Sequence, residues 1–115
     1  MPLNILLTGS SGRIGRAIHA ELAADHALLG IDRLVGAQTD RVIDLRDTAR
    51  LAPCLRGIDA VVHCAALHAP DVGVLADDSF IEVNVAATRR LAEAARDAGV
   101  RRFVYTSTTA LYGDA

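Results

Sequence analysis

The stretch Thr8-Gly9-Ser10-Ser11-Gly12-Arg13-Ile14-Gly15 constrains this chain more than any other. It follows the apolar run Leu3 to Leu7 and opens an amphipathic one, Ile14 to Leu22. That order reads as strand, glycine turn, helix. It is the setting in which three glycines at this spacing point to a dinucleotide phosphate site. Gly9 permits the tight turn, Gly12 leaves room for a pyrophosphate against the backbone, and Gly15 lets the helix lie close to the strand. The free amides at the helix start, with the positive end of its dipole, then face the phosphates. A glycine triplet alone is common in ordinary turns; here the flanking strand and helix patterns carry the reading.

With 115 residues the chain reads as one domain, 1–115, long enough for a real core. Only two Phe, two Tyr and no Trp are present, so Ala, Val, Leu and Ile must build that core. A net charge of -2 points away from nucleic acid and membrane surfaces as partners. No apolar run approaches the roughly 20 residues of a spanning helix. The sequence begins on a strand pattern and not on a basic, apolar leader, which leads to the expectation of a cytoplasmic protein. Cys54 and Cys64 fit no metal spacing and read as reduced core residues; no metal site is expected.

Apolar runs alternate with helical patterns. Strands are expected at Asn4-Thr8, Ala27-Asp32, Arg41-Asp44, Ala60-Cys64 and Arg102-Thr106, and helices at Gly12-Ala24, Thr48-Leu55 and Asp77-Ala98. The strands are continuous in Val, Ile and Leu, as suits a parallel sheet covered on both faces. The last helix carries Phe80, Val83, Ala87, Leu91, Ala94 and Ala98 on one stripe, and Gly99-Val100 reads as its C-cap. Right-handed crossovers then give an α/β fold, a doubly wound parallel sheet of about five strands in the order 3-2-1-4-5. The loop from Ala66 to Asp77, with Pro70 and Gly73, is the expected mobile segment.

Several polar residues fall at strand ends. Asp32 closes the second strand, where a carboxylate accepts from the adenine ribose hydroxyls and repels a 2'-phosphate. NAD is thereby favoured over NADP; the alternative is a simple turn cap, and neighbouring Arg33 is a group that could accept a phosphate. Asp44-Leu45 stands where an acidic side chain could reach the adenine amino group, or Asp44 is one charge of the solvated run Asp44-Leu45-Arg46-Asp47. Val61 to Ala66 is a buried strand ending in small residues, which leave space beside the switch point. His63 within it reads as a hydrogen-bonded core histidine before a ligand, and His68 in the next loop is better placed to touch a cofactor. Asn84 sits mid-helix, where it is either merely exposed or bridges backbone near the site. Tyr105-Thr106-Ser107-Thr108-Thr109 offers hydroxyls that can bond a substrate or simply shape a turn. No partner base makes them a hydrolase triad.

Taken together, Thr8-Gly9-x-x-Gly12-x-x-Gly15, His63-Cys64-Ala65-Ala66, Asn84-Val85-x-x-Thr88 and Phe103-Val104-Tyr105-Thr106-Ser107 through Leu111-Tyr112-Gly113 fall in a shared order and spacing. The chain resembles, over essentially its whole length, the extended short-chain dehydrogenase/reductase superfamily, in particular its sugar-nucleotide epimerase/dehydratase group. The resemblance implies a Rossmann domain with Arg13 and Ile14 giving backbone contacts to the pyrophosphate, Asp32 at the adenosine ribose and Asp44-Leu45 at adenine. It implies Cys64, Ala65, Ala66 and His68 along the path to the nicotinamide ribose, with Asn84 near the inner end of the cofactor. Thr108, with Ser107 beside it, matches the hydroxyl residue that assists the family's catalytic tyrosine.

The departure is the missing Tyr-x-x-x-Lys motif. The sequence ends at Ala115, contains no lysine, and has Tyr112 in a Tyr-Gly turn. The expectation is an incomplete domain, the NAD-binding portion of an NAD-dependent epimerase, dehydratase or related oxidoreductase. It should be inactive alone, with Ser107 and Thr108 only orienting a sugar-nucleotide substrate in the intact enzyme. The rivals are a binding-only module sensing NAD(P)(H) and an inactive truncated fragment. Loss of whatever covers the fifth strand would leave an open edge at Arg102-Thr106, so self-association into a homo-oligomer is a further expectation.

Overall fold

A computed structural model of the chain describes residues 2–65 and 82–106. Five parallel strands form one sheet: β1 (Asn4–Thr8), β2 (Ala27–Asp32), β3 (Arg41–Val42), β4 (Ala60–His63) and β5 (Arg102–Tyr105). Their order is β3-β2-β1-β4-β5, the doubly wound arrangement expected from the alternating pattern. In register, Thr8 lies beside Ile31 on one flank and beside His63 on the other, so β1, β2 and β4 end together.

Alternation along the strands divides the core. Leu6, Ile31 and Val61 face one side, where α2 (Thr48–Leu51) brings Leu51, and α3 (Thr88–Asp97) with its N-cap Ala87 brings Ala87, Leu91 and Ala95. Ile5, Leu7, Ala60, Val62 and Cys64 face the other, covered by Ile18 and Leu22 of α1 (Arg13–Leu22). Both faces of the central strands β1 and β4 are therefore covered, which is why these read as unbroken apolar runs, whereas Val104 and Tyr105 of the edge strand β5 are half exposed. Cys54 and Cys64 are buried free thiols, as expected.

Departures from the expected boundaries have local causes. The third strand stops at Val42 because Asp44 folds into a turn, its Oδ1 accepting from Arg46 N at 2.9 Å and its carbonyl from Asp47 N at 2.9 Å. The helix expected over Thr48-Leu55 tightens to a 3-10 turn at Ala52–Leu55, where Pro53 has no amide to give. Before α3 the backbone makes a π turn, Glu82–Ala87. The buried face of α3 is Leu91 and Ala95, continued by the N-cap Ala87, with Ala94 partly covered, whereas Ala98 is the exposed C-cap. Phe80 and the side chain of Val83 lie outside the described residues. The cap itself is as read: Gly99 takes φ +83, its amide bonds Arg96 O and that of Val100 bonds Ala95 O, a Schellman ending.

Candidate functional site

The carboxyl ends of β1, β2 and β4 meet at the glycine turn. Gly9 and Ser10 donate their amides to Ile31 O at 2.9 and 3.2 Å, tying the turn to β2. Gly9 has φ +75, and a Cβ there would lie 2.7 Å from Ala65 N and 2.8 Å from the Cys64 carbonyl carbon. Only glycine fits on both counts. A Cβ on Gly15 would overlap the Gly9 carbonyl oxygen, so α1 can pack on the turn only without one. Gly12, the N-cap, brings no side chain to the amides of the first helical turn, and that turn holds no acidic residue. Arg13 and Ile14 stand exposed beside it. This is an electropositive ledge of backbone amides, suited to an anion.

Asp32 is held at the rim of the ledge. Its Oδ2 accepts from Ser11 N at 3.0 Å and its Oδ1 from Leu34 N at 2.9 Å. Two amides fix the carboxylate and leave a lone pair on each oxygen for hydroxyl donors. Asp44 is engaged differently. Arg46 grips it in a fork, Nε to Oδ1 at 3.0 Å and Nη2 to Oδ2 at 2.7 Å. The Arg46 hydrogen bonds, with smaller contributions from the charges of Arg46 and Arg33, hold the Asp44 carboxyl below the usual range. Leu45 is buried in the core, so toward a ligand it can offer only backbone.

Behind the ledge runs a buried polar chain. Thr8 Oγ1 accepts from the amides of Cys64 and Ala65, both at 3.1 Å. With its lone pairs used, Thr8 must donate its single proton to His63 Nδ1, 2.6 Å away. His63 is then the Nε2–H tautomer and donates to Thr88 Oγ1 at 2.8 Å. Tyr105 stacks on the imidazole at 5.7 Å between ring centres. His63 is fully buried, and burial pushes its pKa down to about 4 from 6.5. It is the hydrogen-bonded core histidine, joining β1, β4 and α3.

That burial has a measurable consequence. The unfolded chain binds a proton near pH 6.5 and the fold resists one until about pH 4. Stability from this group is therefore full above pH 6.5 and is lost as the pH falls toward 4, a span worth about 3 kcal/mol. Urea unfolding at a series of pH values will show that decline. The variant His63→Gln, neutral throughout, will flatten the curve over this window.

The structure thus brings together Gly9, Gly12, Gly15, Asp32, Cys64 and Ala65, with Arg13 and Ile14 on the adjoining helical turn. The Cys64 side chain faces the core and burial pushes its thiol pKa up, so its contribution to a ligand is backbone. Asn84 lies half-buried in the π turn one helical turn before Thr88. Ala66, His68, Ser107 and Thr108 lie outside the described residues, as does the expected loop Ala66 to Asp77. Sequence reasoning missed the roles of Thr8, Ser10, Ser11, Thr39 and Thr88. For Thr8 a signal existed: it ends a parallel strand beside another that ends in His63. For Thr39, some 28 residues from its partners, there was none.

The NAD dependent epimerase/dehydratase family model matches residues 5–115. The chain belongs to this family. L-arabinose 1-dehydrogenase (NAD(P)(+)) of Haloferax volcanii is 40% identical over 105 residues, which are 90% of this chain and 40% of that protein. A short-chain dehydrogenase/reductase superfamily protein from Agrobacterium tumefaciens, solved with bound NAD, is 37% identical with a TM-score of 0.81 over 96% of this chain and 34% of its own. UDP-glucose-4-epimerase from Stenotrophomonas maltophila, with NAD and formylated UDP-arabinopyranose, is 28% identical with a TM-score of 0.84 over 98% of this chain and 39% of its own. The chain of this family member spans about 40% of the length of such relatives. Among the described residues no helix is long and apolar enough to cross a membrane, and no group of His, Cys, Asp and Glu could hold a metal.

Proposed function

We propose that this chain is the NAD-binding portion of an NAD-dependent epimerase or dehydratase that acts on a sugar nucleotide in the cytoplasm. The observation that carries the reading is the joint placement of the Gly9–Gly12–Gly15 ledge and the Asp32 carboxylate at the ends of β1 and β2. The residues fit the cofactor. A Cβ on Gly12 would meet only the Gly9 carbonyl oxygen, at 3.3 Å, so the ledge beside it is open, and the first turn of α1 offers amides without a competing acid. In this reading Arg13 and Ile14 hold the pyrophosphate through backbone amides, and Asp32 takes the adenosine ribose diol. Asp44 and Leu45 border adenine, Cys64, Ala65, Ala66 and His68 line the way to the nicotinamide ribose, and Asn84 stands near the inner end. Ser107 and Thr108 orient the substrate. The bound nicotinamide supplies hydride exchange with a sugar carbon; the chain's own groups bind and orient.

Titration calorimetry with both dinucleotides tests this. NAD is expected to bind at least about tenfold more tightly than NADP, a difference near 1.4 kcal/mol. Asp32→Ala should bring the two within about threefold. A preference for NADP that Asp32→Ala leaves untouched would overturn the assignment of Asp32 to the ribose.

A further inference from the structure

The segment between β2 and β3 is laced to the glycine turn by three hydroxyls. Thr39 Oγ1 lies 2.6 Å from Ser10 Oγ and 2.6 Å from Ser11 Oγ, and Ser11 Oγ lies 2.8 Å from the carbonyl oxygen of Leu34. A carbonyl cannot donate, so Ser11 spends its one proton on Leu34. Ser11 must then accept from Thr39, and Thr39, its proton spent, must accept from Ser10. The chain has one direction: Ser10 to Thr39 to Ser11 to Leu34. Aligned hydroxyls of this kind polarise one another and strengthen the whole run.

Its two lower links are the residues that hold Asp32. Ser11 gives its amide to Oδ2 and Leu34 gives its amide to Oδ1. Thr39 therefore fixes, through Ser11 and the Leu34 carbonyl, both donors that orient this carboxylate. A carboxylate locked this way keeps its remaining lone pairs in one place. It also cannot swing aside to admit a second anion beside Arg33, the residue that follows it.

We propose that Thr39 is a positioning residue that sets the preference for NAD over NADP by locking the Asp32 carboxylate. The proposal rests on the reading of the site as a dinucleotide site. Two ribose hydroxyls match the two fixed oxygens. A 2'-phosphate in their place meets a negative group that the hydroxyl chain prevents from retreating.

The variant Thr39→Val removes the relay hydroxyl at nearly constant volume. The base of the loop keeps its own ties, since Asp40 Oδ2 accepts from Gly30 N at 2.7 Å and Asp40 N donates to Gly30 O at 2.8 Å. Thermal melts of the full chain will show that the variant stays folded. Calorimetry with NAD and NADP is the decisive measurement. Thr39→Val should weaken NAD by about fivefold to tenfold and leave NADP within about twofold, so the ratio collapses. Thr39→Ser, which keeps the hydroxyl, should restore it. A purely structural role for Thr39 weakens both dinucleotides alike, because they share every other contact; an unchanged ratio overturns the proposal and leaves the NAD assignment standing. If the unaltered chain binds neither dinucleotide, the functional reading and this inference fall together.

Discussion

Gly15→Ala will cost the protein both its stability and its cofactor, whereas Gly12→Ala will cost it the cofactor alone. A Cβ on Gly15 overlaps the Gly9 carbonyl oxygen and crowds the Gly9 carbon and Ser10 Cα. All three are backbone, so no side chain can turn away. Either α1 lifts off the turn or the turn leaves its bonds to Ile31, and overpacking of this kind costs about 3 kcal/mol. The displaced first-turn amides then lose their common focus. A Cβ on Gly12 meets only the Gly9 carbonyl oxygen, at 3.3 Å, a contact the cap can absorb with a small shift. Yet that methyl stands on the ledge where a pyrophosphate would approach. Gly15→Ala should show a melting temperature lower by several degrees, with no NAD binding detectable by calorimetry. Gly12→Ala should melt within about 0.5 kcal/mol of the parent and bind NAD at least about a hundredfold more weakly. Equal losses of stability in the two variants would sink the distinction.

These glycines show what a sequence discloses well. Their spacing, set between a strand pattern and a helix pattern, is a backbone requirement written in residue type, and it survives without any knowledge of distant contacts. The strand order followed for the same reason: unbroken apolar runs and right-handed crossovers leave few topologies. Asp32 was legible as a strand-terminal acid. Its two amide donors were not, because Ser11 and Leu34 approach it only once β1 and β2 lie side by side. Asp44 was expected to close the third strand, but it lies in a turn two residues beyond it, and its bidentate capture by Arg46 is a choice of rotamer that composition does not encode. The π turn before α3 was likewise invisible, since Glu82 to Ala87 carries the same apolar spacing as an ordinary helix. Thr39 is the extreme case. Nothing near it in the chain marks it as anything but a turn residue.

Thr8→Val should destabilise the fold more than any conservative change elsewhere in the strands. Valine keeps the shape of threonine, so packing barely changes and the loss is polar. The amides of Cys64 and Ala65 lose their acceptor, and His63 Nδ1 loses its donor. Cys64 N keeps one bond, to Thr8 O at 3.1 Å, but Ala65 N and His63 Nδ1 lose the partner that Thr8 supplied. His63 Nδ1 is buried and Ala65 N partly so; with about 1–3 kcal/mol for a buried group left without a partner, about 3 kcal/mol is expected in total. Domains of this kind carry only about 5–15 kcal/mol. The consequence reaches the site, because the Cys64–Ala65 backbone is the surface on which Gly9 rests. Once those amides drift, the glycine turn loses its floor, and NAD affinity should fall along with stability. Thr8→Ser, which keeps the hydroxyl and drops a methyl, separates the causes. It forfeits some packing but retains every bond in the chain through His63 to Thr88, so NAD affinity should stay within about threefold of the parent. Urea unfolding and calorimetry on the two variants will decide. A Thr8→Val protein as stable as Thr8→Ser would mean that the buried hydroxyl chain contributes nothing to the fold.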